Sequence, residues 1–357
     1  MDIGRVSEVR TTSTNNYHII ETTARAFGYI TDVRDMDVGV LTVALKEESF
    51  ADVLAYLSEL GVDAIEIGCG GNPGSDHLDR ERLLDNADHR ATYRERVEDA
   101  GLYISALAVH NNPLHPDDDH AEHADRQLRE AIELAGALDV GCITCFSGLP
   151  GGGPRDEVPN WITAPWPPIH AEALEYQWEQ AIPYWTAIGE HADAYDVDVA
   201  IEMHPNMLVY EPTGLLALRD ATHPRIGANL DPSHLFWQGI EIATAIRDLG
   251  EADAIHHVHA KDTKLYAPNK RKKGVLDTTA YTDEVNRSWI FRSIGYGHGE
   301  TFWKDFVSTL RMVGYDGALS IEHEDSLTTP REGLEKGVDV LQRAVLETTP
   351  GEAHWTE

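Results

Sequence analysis

Eight short apolar runs, each followed by a stretch of helical periodicity, leave this chain few folds to choose from. The runs are Val38–Val43, Ala64–Ile67, Ile104–Val109, Cys142–Cys145, Val199–Glu202, Ile226–Leu230, Ile255–His259 and Ala318–Ile321. Between them apolar residues recur three and four apart, most clearly over Phe50–Leu60, Arg90–Ala100, Ala121–Leu138, Ala171–Tyr195, Phe302–Val313 and Gly333–Leu346. A strand followed by a helix, eight times over, predicts an α/β chain folded as a single-domain (β/α)8 TIM barrel. A doubly wound sheet would place a glycine-rich turn after the first strand, and Ala44-Leu45-Lys46-Glu47 is not one. The glycine-rich segment Gly68–Gly74 follows the second strand instead, where it reads as a flexible rim turn or, alternatively, a phosphate cradle. Residues 1–37 lack sustained periodicity and are expected to form an arm on the body or a neighbour, with the barrel over 38–345 and a tail over 346–357. The connections Phe146–Ile169 and Ala260–Thr301, after the fourth and seventh strands, are long. Both leave the carboxyl ends of their strands, where barrel active sites are assembled, and are expected to cover the site.

Four of the strands share an ending. Val199-Ala200-Ile201-Glu202, Ile226-Gly227-Ala228-Asn229-Leu230-Asp231, Ile255-His256-His257-Val258-His259 and Ala318-Leu319-Ser320-Ile321-Glu322 each finish on a side chain able to bind a metal, preceded by a branched apolar neighbour. Alternation sends that neighbour to one face and the terminal residue to the other. If the strands lie side by side, Glu202, Asp231, His259 and Glu322 point at a common place in the mouth of the barrel. Inward carboxylates are costly unless paired or metal-bound, so one divalent cation is expected among them. Three carboxylates and one imidazole suit Mn2+ best, with Mg2+, Co2+ or Zn2+ also accommodated. The three cysteines, Cys69, Cys142 and Cys145, make no disulfide framework, and Cys142-Ile143-Thr144-Cys145 is expected as buried strand rather than a zinc or redox motif.

With the segments Ile201-Glu202-Met203-His204-Pro205, Asn229-Leu230-Asp231-Pro232-Ser233-His234, His257-Val258-His259-Ala260-Lys261-Asp262 and Ser320-Ile321-Glu322-His323-Glu324-Asp325, the chain resembles the xylose-isomerase-like superfamily of sugar isomerases and epimerases over roughly residues 38–345. The resemblance, which takes in ketose 3-epimerases and inosose dehydratases, implies that Glu202, Asp231, His259 and Glu322 bind one divalent ion and that Glu202 and Glu322 move protons. The chemistry agrees: a cation chelated by a carbonyl and a neighbouring hydroxyl acidifies the C–H between them and holds the enediolate, while carboxylates on opposite faces take and return the proton. The expected function is thus a metal-dependent isomerase or epimerase acting on a carbohydrate. If a leaving group lies next to the enediolate, the same chemistry makes a lyase or dehydratase of a keto-sugar, inosose or 3-keto-glycoside. An abasic-site endonuclease and a non-enzymatic sugar-binding protein are the remote alternatives. The substrate contacts expected are His234, His204, His110, Glu66, Lys261, His298 in the Arg292–Glu300 turn, and Trp166 from the fourth connection, where a ring can stack on a sugar. An arginine expected about six residues after the metal histidine in epimerases is replaced by lysines. Five of the eight lysines fall in Lys261–Lys273, which suggests an anionic substrate, an acidic neighbouring subunit, or an exposed loop with local charge balance.

Composition bounds the rest. A formal charge of -32, from 61 acidic against 29 basic residues, is spread through the predicted helices and reads as a salt-adapted surface. It also disfavours a nucleic-acid partner, since affinity for phosphate backbones needs clustered cations. Nothing approaches the run of about 18 apolar residues that spans a membrane, and the first residues lack the pattern of a secretory signal, so no membrane association and a cytoplasmic location are expected. A homo-oligomer is expected.

Overall fold

The computed structural model describes residues 36–346 and 348. The arm expected over 1–37 and the tail expected over 346–357 therefore fall almost wholly outside the described residues. The strands are β1 (Asp37–Leu41), β2 (Ala64–Gly68), β3 (Tyr103–Ala108), β4 (Cys142–Phe146), β5 (Asp198–Glu202), β6 (Ile226–Leu230), β7 (Ile255–Ala260), β8 (Asp262–Leu265), β9 (Trp289–Arg292) and β10 (Ala318–Ile321). The helices are α1 (Phe50–Leu60), α2 (Arg80–Asp85), α3 (Ala87–Asp99), α4 (Asp118–Leu138), α5 (Ile169–Ala194), α6 (Pro212–Ala221), α7 (Pro232–Phe236), α8 (Ile242–Glu251), α9 (Ala267–Lys273), α10 (Glu300–Met312) and α11 (Pro330–Gln342).

Eight of the strands close into a parallel barrel in the order β1-β10-β7-β6-β5-β4-β3-β2, the TIM barrel that the alternation predicts. The remaining pair, β8 and β9, forms a separate antiparallel sheet with Asp262 opposite Arg292 and Leu265 opposite Trp289. This hairpin and α9 lie inside the connection after β7, which the sequence reading treats as a plain long loop. The runs Asp262–Leu265 and Trp289–Arg292 are only four residues each, too short for periodicity to reveal.

Local signals account for many of the helix ends. Ser49 caps α1 by accepting from Asp52 N at 3.3 Å, and Gly61 ends it in the left-handed region at φ 76°. Asp117 caps α4 in the same way, and Thr329 caps α11 ahead of Pro330. The main core lies between the strands and the helices, where Leu57, Ile65, Ile67, Leu107, Ile132, Ile143, Trp185 and Trp303 are fully buried. Small inward residues, Ala106, Cys142 and Ala200, form their own cluster inside the barrel. All three cysteines are buried and free, as expected of strand and core residues. No described helix is long and apolar enough to cross a membrane.

Candidate metal centre

β5, β6, β7 and β10 are successive neighbours in the barrel, so the four strand-end residues arise side by side. Glu202 closes β5 and His259 lies on β7, while Asp231 and Glu322 stand one residue past β6 and β10. One ligand atom from each of Glu202, Asp231, His259 and Glu322 lies within 4.8 Å of the others. Nδ1 of His259 is 3.2 Å from Glu202 Oε2 and 3.1 Å from Glu322 Oε2.

Asp231 is held by the helix it begins. It is the N-cap of α7, with Oδ1 accepting from Ser233 N at 2.7 Å and Pro232 at the first helical position. That bond leaves Oδ2 turned toward the cluster. The same short turn brings His234, three residues on, to 3.3 Å from Asp231 Oδ2 and 3.0 Å from Glu202 Oε1. From the far side His110 reaches Glu202 Oε2 at 3.2 Å. These contacts are close but poorly aligned, and Asp231 Oδ2, His110 Nε2 and His234 Nε2 are buried without a hydrogen-bond partner. Three carboxylates and one imidazole that bring a ligand atom each to one place, with oxygens predominating among them, fit a hard divalent cation.

Electrostatics keep the carboxylates unevenly charged. Burial pushes Asp231 up, and although His234 and Lys261 oppose it, its pKa stands at about 6. Burial also pushes Glu202 up, but the imidazoles of His110, His234 and His259 outweigh it and hold the group well below the usual range. In Glu322 burial is overcome chiefly by Lys261, which brings the carboxyl down to about 2. Lys261 is 2% exposed, with Nζ 3.1 Å from Glu322 Oε2, 3.9 Å from Asp231 Oδ2, in contact with Glu324, and 4.2 Å from the centre of the Phe291 ring. Burial disfavours its charge, yet those carboxylates keep it well above its ordinary pKa. His204 packs between Phe146 and His234 at 4.6 and 4.3 Å, and burial lowers it to about 3, leaving it neutral.

The other expected contacts separate. His234, His204, His110 and Lys261 stand around the cluster. His298 instead gives Nδ1 to Asp262 Oδ1 at 2.8 Å and stacks on Phe236 at 3.8 Å. Asp262 Oδ2 also accepts from the backbone of Gly295, Gly297 and His298, and a Cβ on Gly297 would come within 2.2 Å of Asp262 Oδ1. Trp166 is 79% exposed on the connection after β4 and shares none of the ring contacts found among the described cluster residues. Glu66 requires a correction. Expected to touch substrate, it is fully buried beneath His259, its oxygens occupied by Thr144, Ser320, His257 and His259. Of the basic segment, Lys261 alone turns inward; Lys264, Lys270, Arg271, Lys272 and Lys273 are exposed.

Sequence reasoning missed Thr144, Asn229 and Ser320 as site neighbours. Asn229 Nδ2 donates to Glu202 Oε2 at 3.3 Å, and Asn229 and Ser320 stand two residues before Asp231 and Glu322. The period of two that locates the ligands also places these one layer deeper on the same face. It missed Phe291 for a different reason: β9 was not recognised, so the ring that Lys261 and His234 meet had no strand to carry it.

A closed barrel whose mouth gathers three carboxylates and an imidazole is a TIM barrel with a candidate metal site, and the comparisons give its family. The family model described as a xylose isomerase-like TIM barrel matches residues 54–344, and the chain belongs to that family. The Bacillus subtilis protein YfiH is 38% identical over 314 residues, 87% of this chain and 99% of its own length. Among solved structures, a probable 3-DHS dehydratase from Bacillus anthracis aligns with a TM-score of 0.61 at 17% identity, covering 86% of this chain and 99% of that one. A D-psicose 3-epimerase with D-tagatose from Clostridium cellulolyticum H10 aligns with a TM-score of 0.57 at 14% identity, covering 87% and 98%. The structural neighbours thus include epimerases and a probable dehydratase.

Proposed function

We propose that this chain is a divalent-metal-dependent sugar isomerase or epimerase, with Glu202 and Glu322 as the proton-transferring groups. The observation that carries the reading is the convergence of Glu202, Asp231, His259 and Glu322 within 4.8 Å, with Asp231 Oδ2 accepting no hydrogen bond. These four residues would hold the ion. When bound, it polarises a carbonyl oxygen and the adjacent hydroxyl and so acidifies the C–H between them. The rest falls to the side chains. Glu202 and Glu322 are both held ionised, the state a base needs before it takes a proton. One abstracts the proton and the other returns it on the opposite face, inverting the carbon. Lys261 compensates Glu322, while neutral His204 and the buried rings of His110 and His234 surround Glu202.

A second reading, elimination of water from a keto-sugar, inosose or 3-keto-glycoside, is favoured by His234. Burial lowers its basicity, but Asp231 and Glu202 raise it above its ordinary value, so it can carry a proton to a departing hydroxyl. The test is incubation of metal-loaded protein with ketoses, inososes and 3-keto-glycosides in D2O. Deuterium entering a substrate of unchanged formula indicates epimerisation, and loss of water indicates the lyase. Glu202→Gln and Glu322→Gln should each reduce exchange by about 100-fold or more. Near-normal exchange in both variants would remove the two glutamates from the mechanism.

A further inference from the structure

Below the mouth, the barrel holds a polar layer that the chemistry above does not use. Glu66 on β2 accepts from Thr144 Oγ1 through Oε1 and from Ser320 Oγ through Oε2, each at 2.6 Å. Nε2 of His257 is 3.2 Å from Oε2, and Nε2 of His259 is 2.9 Å from Oε2 and 3.1 Å from Oε1. Barrel interiors are ordinarily filled with branched apolar side chains, and a carboxylate is tolerated there only when donors satisfy it. Here β4, β7 and β10 all supply donors to one residue of β2.

Among those donors, His259 alone belongs to the ligand cluster as well. Its Nε2 faces Glu66 while its Nδ1 faces Glu202 and Glu322. A neutral imidazole carries one N–H, and the partner of one nitrogen decides what the other presents. With Glu66 accepting at Nε2 the N–H on that side is held in place, and an ion at the mouth, taking the place of a proton between Nδ1 and the carboxylates of Glu202 and Glu322, meets the Nδ1 lone pair.

We propose that Glu66 is a positioning residue that fixes the tautomer and ring orientation of His259, so that Nδ1 is presented to a divalent ion at the mouth. This rests on the reading that Glu202, Asp231, His259 and Glu322 hold such an ion. Glu66, His257 and His259 also bring ligand atoms within 4.8 Å of one another, as a second metal site would. The hydroxyl protons of Thr144 and Ser320 and the two imidazoles already engage both carboxylate oxygens, which favours a hydrogen-bonded support over a second ion.

The test uses the full-length chain. Long-range 1H–15N correlation spectra of labelled protein, with His259 assigned by comparison with His259→Gln, read the tautomer directly. The expected result, in wild type saturated with diamagnetic Mg2+ or Zn2+, is the Nε2–H form. In Glu66→Gln that form should be lost in part or whole, and the Kd for Mn2+ by titration calorimetry should weaken about 10–100-fold with an unchanged circular dichroism spectrum. An Nδ1–H tautomer in the wild type, an unchanged Kd in folded Glu66→Gln, or two ions per chain with one lost in that variant would each overturn the proposal. Should Glu66→Gln fail to fold, the wild-type tautomer decides. Wild-type protein that binds no Mn2+ defeats the ion reading, and this proposal with it. Equal binding by wild type and Glu66→Gln defeats the role of Glu66 alone.

Discussion

Replacing Lys261 by methionine isolates the electrostatics of the mouth, because the hydrocarbon stem that packs by Phe291 is largely retained while the charge goes. The ammonium lies 3.1 Å from Glu322 and 3.9 Å from Asp231. With an effective dielectric near 20, those two attractions are about 5 and about 4 kcal/mol before the desolvation of the ammonium is subtracted. Removing one partner of a buried pair typically costs about 3–5 kcal/mol, since the charges left behind are uncompensated. In a barrel of this size that corresponds to a fall in Tm of about 4–8 °C. The ion should then matter more. With no Lys261 to hold Glu322 down and oppose burial at Asp231, saturating Mn2+ has more repulsion to relieve, so it should raise the Tm of Lys261→Met by more than that of the wild type. Calorimetric melts at fixed KCl and pH, in EDTA and in Mn2+, give all four values. The reasoning fails if Lys261→Met melts within about 1 °C of wild type in EDTA, or if Mn2+ shifts both proteins equally.

Asp231→Ala removes a buried ligand whose Oδ2 accepts no hydrogen bond, so metal analysis after dialysis should find it depleted, and full occupancy would take Asp231 out of the site. With 61 acidic against 29 basic side chains, mutual repulsion opposes the compact state, so Tm should climb between about 0.1 and 2 M KCl as the Debye length shrinks to about 3 Å or less; a flat or falling Tm defeats the salt-adapted reading. His256, packed over Gly227 on the outer side of β7, is lowered from 6.5 by burial and by Arg219 against the pull of Asp198. Its folded pKa lies below its unfolded one, so the unfolded chain takes a proton first as pH falls, and the stability present above about 6.5 declines below it. Urea unfolding at pH 7.5 and 5.5 should show a smaller loss for His256→Phe than for wild type, and identical losses would contradict this assignment.

The barrel and its four converging residues are legible in the sequence because both follow from one rule, the period of two along a strand. Glu202, Asp231, His259 and Glu322 each stand at the end of a recognisable run, and Asp231-Pro232 adds a helix-capping signal. Depth is not legible. Nothing local to Ile65-Glu66-Ile67 distinguishes a glutamate at the rim from one sealed under an imidazole, since that depends on the stagger of β2 against β7 and β10 across the barrel. The same limit explains His298, which lies in a turn of suitable composition but is captured by Asp262, 36 residues earlier. The hairpin β8–β9 escaped because its two strands are short and separated by the residues of α9 and its flanks.

That hairpin divides the molecule's labour in a way that bears on how its specificity could change. The four ion-holding candidates stand at the ends of barrel strands, whereas Phe291, the ring that meets Lys261 and His234, is borne by an appendage whose Trp289 and Phe291 share a small core with Trp237 of the body. It is tied to the body at several points: Lys261 enters the charge cluster, Asp262 fastens the Gly295–His298 turn, Thr263 Oγ1 donates to Ser233 O at 2.9 Å, and Arg292 Nε pairs with Asp325 at 3.0 Å. An exchange of residues 264–288 for another loop would therefore reshape the appendage while leaving Thr263, Trp289 and Phe291 and the four ion-holding candidates in place. Evolution of new substrates in such a chain is a matter of refitting the doorway, with the hearth left untouched.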